Sequence, residues 1–142
     1  MSSVIVPITL ACLIQAAELQ NVPPAVLLTI QQVEGGKVGE VSRNSNDTYD
    51  IGPMQINSIH IDEIANTAFK GDKKAAEERL LNDGCYNAFV GAYLLRKALI
   101  KENNNLFEAV GRYHSGTKKY KTRYQSKFIE KFKEIYTLIS SR

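Results

Sequence analysis

At 142 residues, with a hydrophobic fraction of 44% and a charged fraction of 23%, the chain reads as one domain over residues 1–142 of ordinary soluble globular composition. That length supports a core without disulfide or metal staples, which sets aside the small stapled scaffolds. The formal charge of +3 is mild but uneven: no Lys or Arg precedes Lys37, whereas Lys118, Lys119, Lys121, Arg123, Lys127, Lys131, Lys133 and Arg142 crowd the end, opposed by Glu130 and Glu134. Such a face suits a polyanion or an anionic surface, and equally a plain solvated helix face.

Within Met1 to Ile14 lies an apolar run of about eleven residues, shorter than the roughly 20 that span a bilayer. It lacks the basic start of a signal peptide, so an exported protein of this sequence is expected to have had its leader removed or replaced. Pro7 fits the first turn of a helix, where its missing N–H costs nothing. Ile8, Cys12, Ala16 and Leu19 then recur at helical spacing and place Cys12 on the buried stripe. Asn21-Val22-Pro23-Pro24 breaks the run, and Pro24 starts a second helix, Ala25 to Glu34. That helix is apolar on most sides (Val26, Leu27, Leu28, Ile30, Val33), as a central buried helix is. Gly35 and Gly36 supply the left-handed residue that ends it.

From Lys37 to Asp50 no helical or alternating period appears; Ser42, Asn44, Ser45, Asn46 and Asp47 favour turns. A loop of that length in a small domain is expected to carry function. Ile51 to Ile64 reads as short helical turns around Met54, Ile56, Ile59, Ile61 and Ile64. A short helix is expected from Lys73 to Leu81, ending at Asn82-Asp83-Gly84. Cys85, Ala88, Phe89, Ala92, Leu95 and Leu99 mark a helix of about four turns. Leu106 to His114 forms another, and Tyr120, Tyr124, Phe128, Phe132, Ile135 and Ile139 mark a last long one. With no strand run, repeat or linker, the expected fold class is all-α.

The chemistry centres on Glu34. Burial of the preceding helix and the negative end of its dipole both disfavour the carboxylate and raise its pKa. A carboxyl held partly protonated near neutral pH is what a glycosidic general acid must be; position alone also fits an ordinary exposed Glu at a helix end. Gln55 and Asn57, in the apolar Met-Gln-Ile-Asn segment, offer uncharged donors and acceptors to sugar hydroxyls and N-acetyl groups, or cap a loop. Tyr113 can reach a cleft with its hydroxyl or sit in the core. Cys12 and Cys85 fit no metal spacing. As a disulfide they would close a loop of about seventy residues and stabilise by roughly 4 kcal/mol; as free thiols they would pack as small apolar groups. His60 and His114 have no ligand at metal spacing. The chain has neither a Gly-x-Ser-x-Gly elbow nor a phosphate loop, and its basic helix carries no nucleic-acid motif.

Glu34-Gly35-Gly36, then Ser42 to Asp50, then Asp50-Ile51-Gly52-Pro53-Met54-Gln55-Ile56-Asn57 resemble the Glu-Ser and Gly-Leu-Met-Gln-Ile-Asn signatures of soluble lytic transglycosylases with the goose-lysozyme-like fold. Ala109-Val110-Gly111-Arg112-Tyr113-His114-Ser115-Gly116 is similar to their third motif, and Arg123-Tyr124 to the closing Tyr motif of the branch tied to type IV secretion, conjugation, type IV pilus and type III secretion systems. The resemblance spans roughly Cys12 to Phe132. Departures are Gly35 for Ser, Pro53 for Leu, His114 for Asn and Ser115 for Ala.

The resemblance implies a single lysozyme-like catalytic domain of about six to eight helices with a long polar loop beside the cleft. It implies cleavage of the β-1,4 bond between N-acetylmuramic acid and N-acetylglucosamine in peptidoglycan, leaving a 1,6-anhydro end. Glu34 would be the sole catalytic acid/base. Gln55, Asn57, Asn46, Met54, Tyr113 and Tyr124 would bind substrate, and Gly52 would admit the strand closely. Cys12 and Cys85 match a cysteine pair of that branch, implying a disulfide and an oxidising periplasm. The expected protein is a periplasmic monomer needing no cofactor and no metal. It binds peptidoglycan glycan strands and components of a secretion, conjugation or pilus system, not nucleic acid, and has no integral membrane segment. Three alternatives stand beside this one. The first is a hydrolytic lysozyme using Asp47 or Asp50 as second carboxylate. The others are an inactive glycan-binding assembly module, and nucleic-acid binding through Lys118 to Lys133.

Overall fold

A computed structural model describes residues 4–140. Met1, Ser2 and Ser3 of the apolar start, the Ile139 side chain and Arg142 of the basic run lie outside the described residues. Seven α-helices occur among the described residues: α1 (Leu10–Leu19), α2 (Pro24–Glu34), α3 (Ile61–Ala68), α4 (Lys73–Asn82), α5 (Gly84–Lys101), α6 (Leu106–His114) and α7 (Lys118–Ser140). The all-α class stands.

The expected absence of strands does not. β1 (Val41–Arg43), β2 (Tyr49–Ile51) and β3 (Ile56–Asn57) form a small antiparallel sheet in that order. Val41 pairs with Ile51 and Arg43 with Tyr49, while Asp50 pairs with Asn57 across the second ladder. Strands this short cannot display a period of two. The turn-rich residues between β1 and β2 are the hairpin itself, closed by the Asn44 N–H on the Thr48 carbonyl at 2.9 Å. Of the helical turns expected over Ile51 to Ile64, those from Ser58 onward form, as a 3-10 turn (Ser58–His60) and the start of α3; Ile51 to Asn57 is instead a tight turn with positive φ at Gly52 (67°) and Gln55 (54°) that leads into β3.

The first helix also differs from expectation. Pro7 and Ile8 lie outside the helix, and α1 begins after the extended Thr9, whose hydroxyl accepts the Cys12 N–H at 3.1 Å as an N-cap. Val6 bridges instead to Asp83. The buried face is therefore Leu13, Ala16 and Ala17, and Leu19 is 71% exposed. Cys12 and Cys85 form a disulfide with Cα atoms 5.6 Å apart, stitching α1 to the start of α5 across 73 positions.

The centre of the core is α5 rather than α2. Its Asn87, Ala88, Val90, Gly91, Ala92, Leu95, Ala98 and Leu99 are buried on nearly all sides, against α1, α4, α6 and β3. Met54 packs on it so closely that a Cβ at Gly91 would lie 2.9 Å from the Met54 side chain. α2 lies between α1 and α7 through Val26, Leu27, Thr29 and Ile30. α6 and α7 are tied together by Lys121, which reaches Glu102 at 3.2 Å and Glu108 at 2.8 Å, while Arg112 holds Glu102 at 2.6 Å. The basic run is thus not one face: Lys121 is drawn inward to these carboxylates, and Lys131 pairs with Glu134.

Candidate active site

The last turn of α2 carries Glu34, and Gly35 ends the helix in the left-handed conformation (φ 63°) with its N–H on the Gln31 carbonyl. The chain then passes against the Gly52–Gln55 turn. A Cβ on Gly36 would stand 2.0 Å from the Gly52 carbonyl oxygen and 2.6 Å from Gln55 Nε2, so only glycine lets the two segments touch. That contact brings Glu34, from a helix, beside amides that come from a sheet.

The turn is held from beneath by Asn87, a wholly buried amide on α5. Its Oδ1 accepts the Met54 N–H at 2.8 Å, and its Nδ2 donates to the carbonyls of Ile51 at 2.9 Å and Leu80 at 3.0 Å. Gly52 faces this amide: a Cβ there would sit 2.4 Å from Asn87 Nδ2. On that side Gly52 admits the protein's own Asn87. Met54, expected as a contact residue, is turned inward. Its side chain is 0% exposed in the core, while its carbonyl accepts the Tyr113 hydroxyl at 2.9 Å. Gln55 occupies the left-handed region, uncommon for a non-glycine residue, and its Nε2 donates to the Gly52 carbonyl at 3.0 Å.

Around this corner opens a cavity of about 720 Å³. Glu34, Asn46, Gln55, Asn57 and Tyr113 all line it, so five expected site residues share one wall system, joined by Asp50, the second carboxylate of the hydrolytic alternative. Asn57 Nδ2 donates to Asp50 Oδ1 at 2.9 Å and to Thr48 Oγ1 at 3.2 Å; its Oδ1 accepts the Ile59 N–H at 3.0 Å. Asn46 Oδ1 accepts from the Thr48 hydroxyl at 2.6 Å. Lys97, Lys101 and Arg112 stand farther along. Asp47, offered as a second carboxylate, lies exposed in the hairpin turn and does not line the cavity.

Glu34 has a pKa of about 7, above its ordinary 4.5. Burial is the chief cause, and the Asp50 carboxylate adds to it; Tyr124 and Lys127 pull the other way. The Tyr124 hydroxyl is buried without a hydrogen bond of ordinary geometry, yet it acts on Glu34 as a hydrogen-bonding group. The hydroxyl therefore approaches Glu34 without completing a hydrogen bond. Tyr124 is 4% exposed, and its ring stacks on His114 at 4.7 Å with 4° between planes. It lines a smaller cavity, also bordered by Glu34, rather than the main one. Burial, reinforced by Glu34, pushes the Tyr113 phenol well above its usual range, so it stays a neutral donor.

Asn87 was missed, and so were the cavity-lining Asn44, Thr48 and Tyr120. Asn87 had a signal: it is the one amide inside the apolar stripe of Cys85 to Leu99.

An all-α domain that offers one carboxyl of raised pKa, from a helix end, to an open amide-lined cleft defines the lysozyme-like class. The chain belongs to the transglycosylase SLT domain family, whose model matches residues 11–136. It is 31% identical to the invasion protein IagB of Salmonella typhimurium (strain SL1344) over 126 residues, covering 88% of this chain and 74% of that protein. It is 29% identical to the protein IpgF of Shigella flexneri over 131 residues, 92% and 82% of the two chains. The X polypeptide of Escherichia coli (strain K12) is 31% identical over 133 residues, 92% and 75%. The function is accordingly lytic transglycosylase-like. No helix among the described residues is long and apolar enough to cross a membrane.

Proposed function

We propose that residues 1–142 form a peptidoglycan lytic transglycosylase domain that opens the β-1,4 bond between N-acetylmuramic acid and N-acetylglucosamine without water. One observation carries the reading: a single carboxyl, Glu34, is held at about pKa 7 in the cleft, while Asp50 beside it is held by Asn57. Near neutral pH about half of the Glu34 population is protonated and able to donate to the glycosidic oxygen. The carboxylate left behind takes the proton of the muramoyl C6 hydroxyl as that oxygen closes on C1, giving the 1,6-anhydro ring and restoring the acid. The substrate supplies its own nucleophile, so a second catalytic carboxylate is unnecessary.

Gln55, Asn57 and Asn46 bind sugar hydroxyls or N-acetyl groups through their remaining amide capacity. Tyr113 and Gly52 support the wall next to Glu34, and Tyr124 lines the smaller cavity. The disulfide supports an oxidising compartment, the periplasm. The likeness to an invasion protein supports the proposal that the domain serves an envelope-spanning secretion, conjugation or pilus apparatus.

A second reading, hydrolysis, is favoured by one fact: Asp50 lines the same cavity and acts on Glu34. The test of the cleft itself is digestion of purified sacculi by the protein and by Glu34→Gln. Soluble muropeptides from the first and none from the second are expected. Equal release would exclude Glu34, and no release by either would leave a binding module.

A further inference from the structure

One stripe of α7 is not explained by an uncharged sugar chain. Tyr120, Arg123, Tyr124 and Lys127 recur at helical spacing along α7. With Val33 and His114 they line the second cavity, of about 220 Å³. Glu34, His114 and Tyr120 border both cavities, so the two are halves of one cleft that meet at the carboxyl.

Lys101, which lines the main cavity and not the second, makes no ion pair among the described residues; the other cations around the cleft are already engaged. Lys97 holds Glu63 at 3.0 Å, Arg112 holds Glu102 at 2.6 Å, and Lys121 holds Glu102 and Glu108. Arg123 and Lys127 are different: neither side chain makes an ion pair or hydrogen bond within the described residues. Both are exposed, one helical turn apart, beside the stacked rings of His114 and Tyr124. The backbone of a muropeptide glycan is neutral. Its charge hangs from muramic acid, as the lactyl carboxyl when bare or as the carboxylates of the stem peptide joined there by an amide. A guanidinium offers a carboxylate a two-pronged hydrogen bond and an ammonium offers a point charge, whereas neither is needed by a sugar hydroxyl.

We propose that the second cavity is the subsite for the carboxylate carried by muramic acid, with Arg123 as the fork and Lys127 as the second charge. The inference rests on the glycan-cleft reading above and adds which part of the polymer is read. It makes the cleft selective for muramic-acid strands over chitin-like strands of N-acetylglucosamine alone.

The test is binding in a Glu34→Gln background, measured calorimetrically with three oligomers of equal length. These are N-acetylglucosamine alone, amidase-stripped glycan with free lactyl carboxyls, and glycan bearing stem peptides. Adding Arg123→Gln and Lys127→Gln is expected to weaken the carboxylate-bearing oligomers about tenfold and the uncharged one by less than about twofold. Loss confined to the peptide-bearing oligomer assigns the carboxylate to the stem, loss confined to the stripped oligomer assigns it to the bare lactyl group, and loss on both means that the subsite takes either carboxylate; each supports the subsite. Equal loss on all three, or loss on none, overturns it. Thermal melts confirm that the exposed substitutions leave the fold intact. Sacculus turnover with Glu34 restored is read alongside, so that failure of the cleft reading appears as absent turnover and failure of the subsite as absent selectivity.

Discussion

Replacing Glu34 by Gln is expected to stabilise the protein at pH 8 and to change its stability little at pH 4. The folded protein holds this carboxyl at about pKa 7, against an ordinary 4.5. Between those values the folded state keeps a proton that the unfolded chain has released. Stability therefore falls as pH rises through that window, and the whole penalty is present above it. At about 1.4 kcal/mol per pH unit the penalty reaches about 3 kcal/mol, an upper figure because the side chain keeps some contact with water. Gln keeps the shape and the hydrogen-bonding capacity but cannot ionise. In a domain of this size about 3 kcal/mol is roughly 10 °C of melting temperature. Paired thermal melts of parent and variant at pH 4 and pH 8, read as the difference between the two proteins, make the assay. An equal difference at both pH values, or a variant less stable at pH 8, would refute the claim that burial of the charge sets this pKa.

The same carboxyl sets the pH profile: turnover is expected to fall as pH rises through about 7. Lys127→Gln should move that limb to higher pH and Asp50→Asn to lower pH, because Lys127 lowers and Asp50 raises the Glu34 pKa; limbs that stay in place would contradict the assignment. Asn87→Ala strands the Met54 N–H and the Ile51 and Leu80 carbonyls. At about 1–3 kcal/mol for each buried orphan the loss should be at least about 3 kcal/mol, seen as a lower urea midpoint with unchanged slope. Reducing Cys12–Cys85 should cost up to roughly 4 kcal/mol by the loop-entropy argument, measured as melting with and without a thiol reductant.

Where the sequence could be read, local chemistry was strong. α2 starts at Pro24 and ends at Gly35, and α6 matches its predicted span because the apolar period and the caps agree. Glu34 was legible for the same reason, since a helix stop fixes which residue occupies the last turn. Features built from partners distant in sequence were hidden, as were elements too short to show a period. The sheet has strands of two and three residues, too short to alternate. α1 begins later than Pro7 because Val6 is taken up by pairing with Asp83, a partner distant in sequence. Asn87 stands out as an amide within the apolar stripe of α5, but it acts entirely through residues at 51, 54 and 80, so its neighbours in the chain do not tell which segment it holds. Met54 looked like a cleft residue beside Gln55 and Asn57, but the turn at Gly52 to Gln55 rotates it into the core. The second cavity drew together an α2 carboxyl and an α7 stripe that sequence order keeps far apart.

The central claim is that Glu34 works alone, with the substrate's own hydroxyl as nucleophile. Digestion of sacculi in water enriched in oxygen-18, followed by mass analysis of the released muropeptides, tests it most directly. The account predicts products lighter by one water than hydrolytic ones and carrying no label. Labelled reducing ends would contradict it and pass the second role to Asp50.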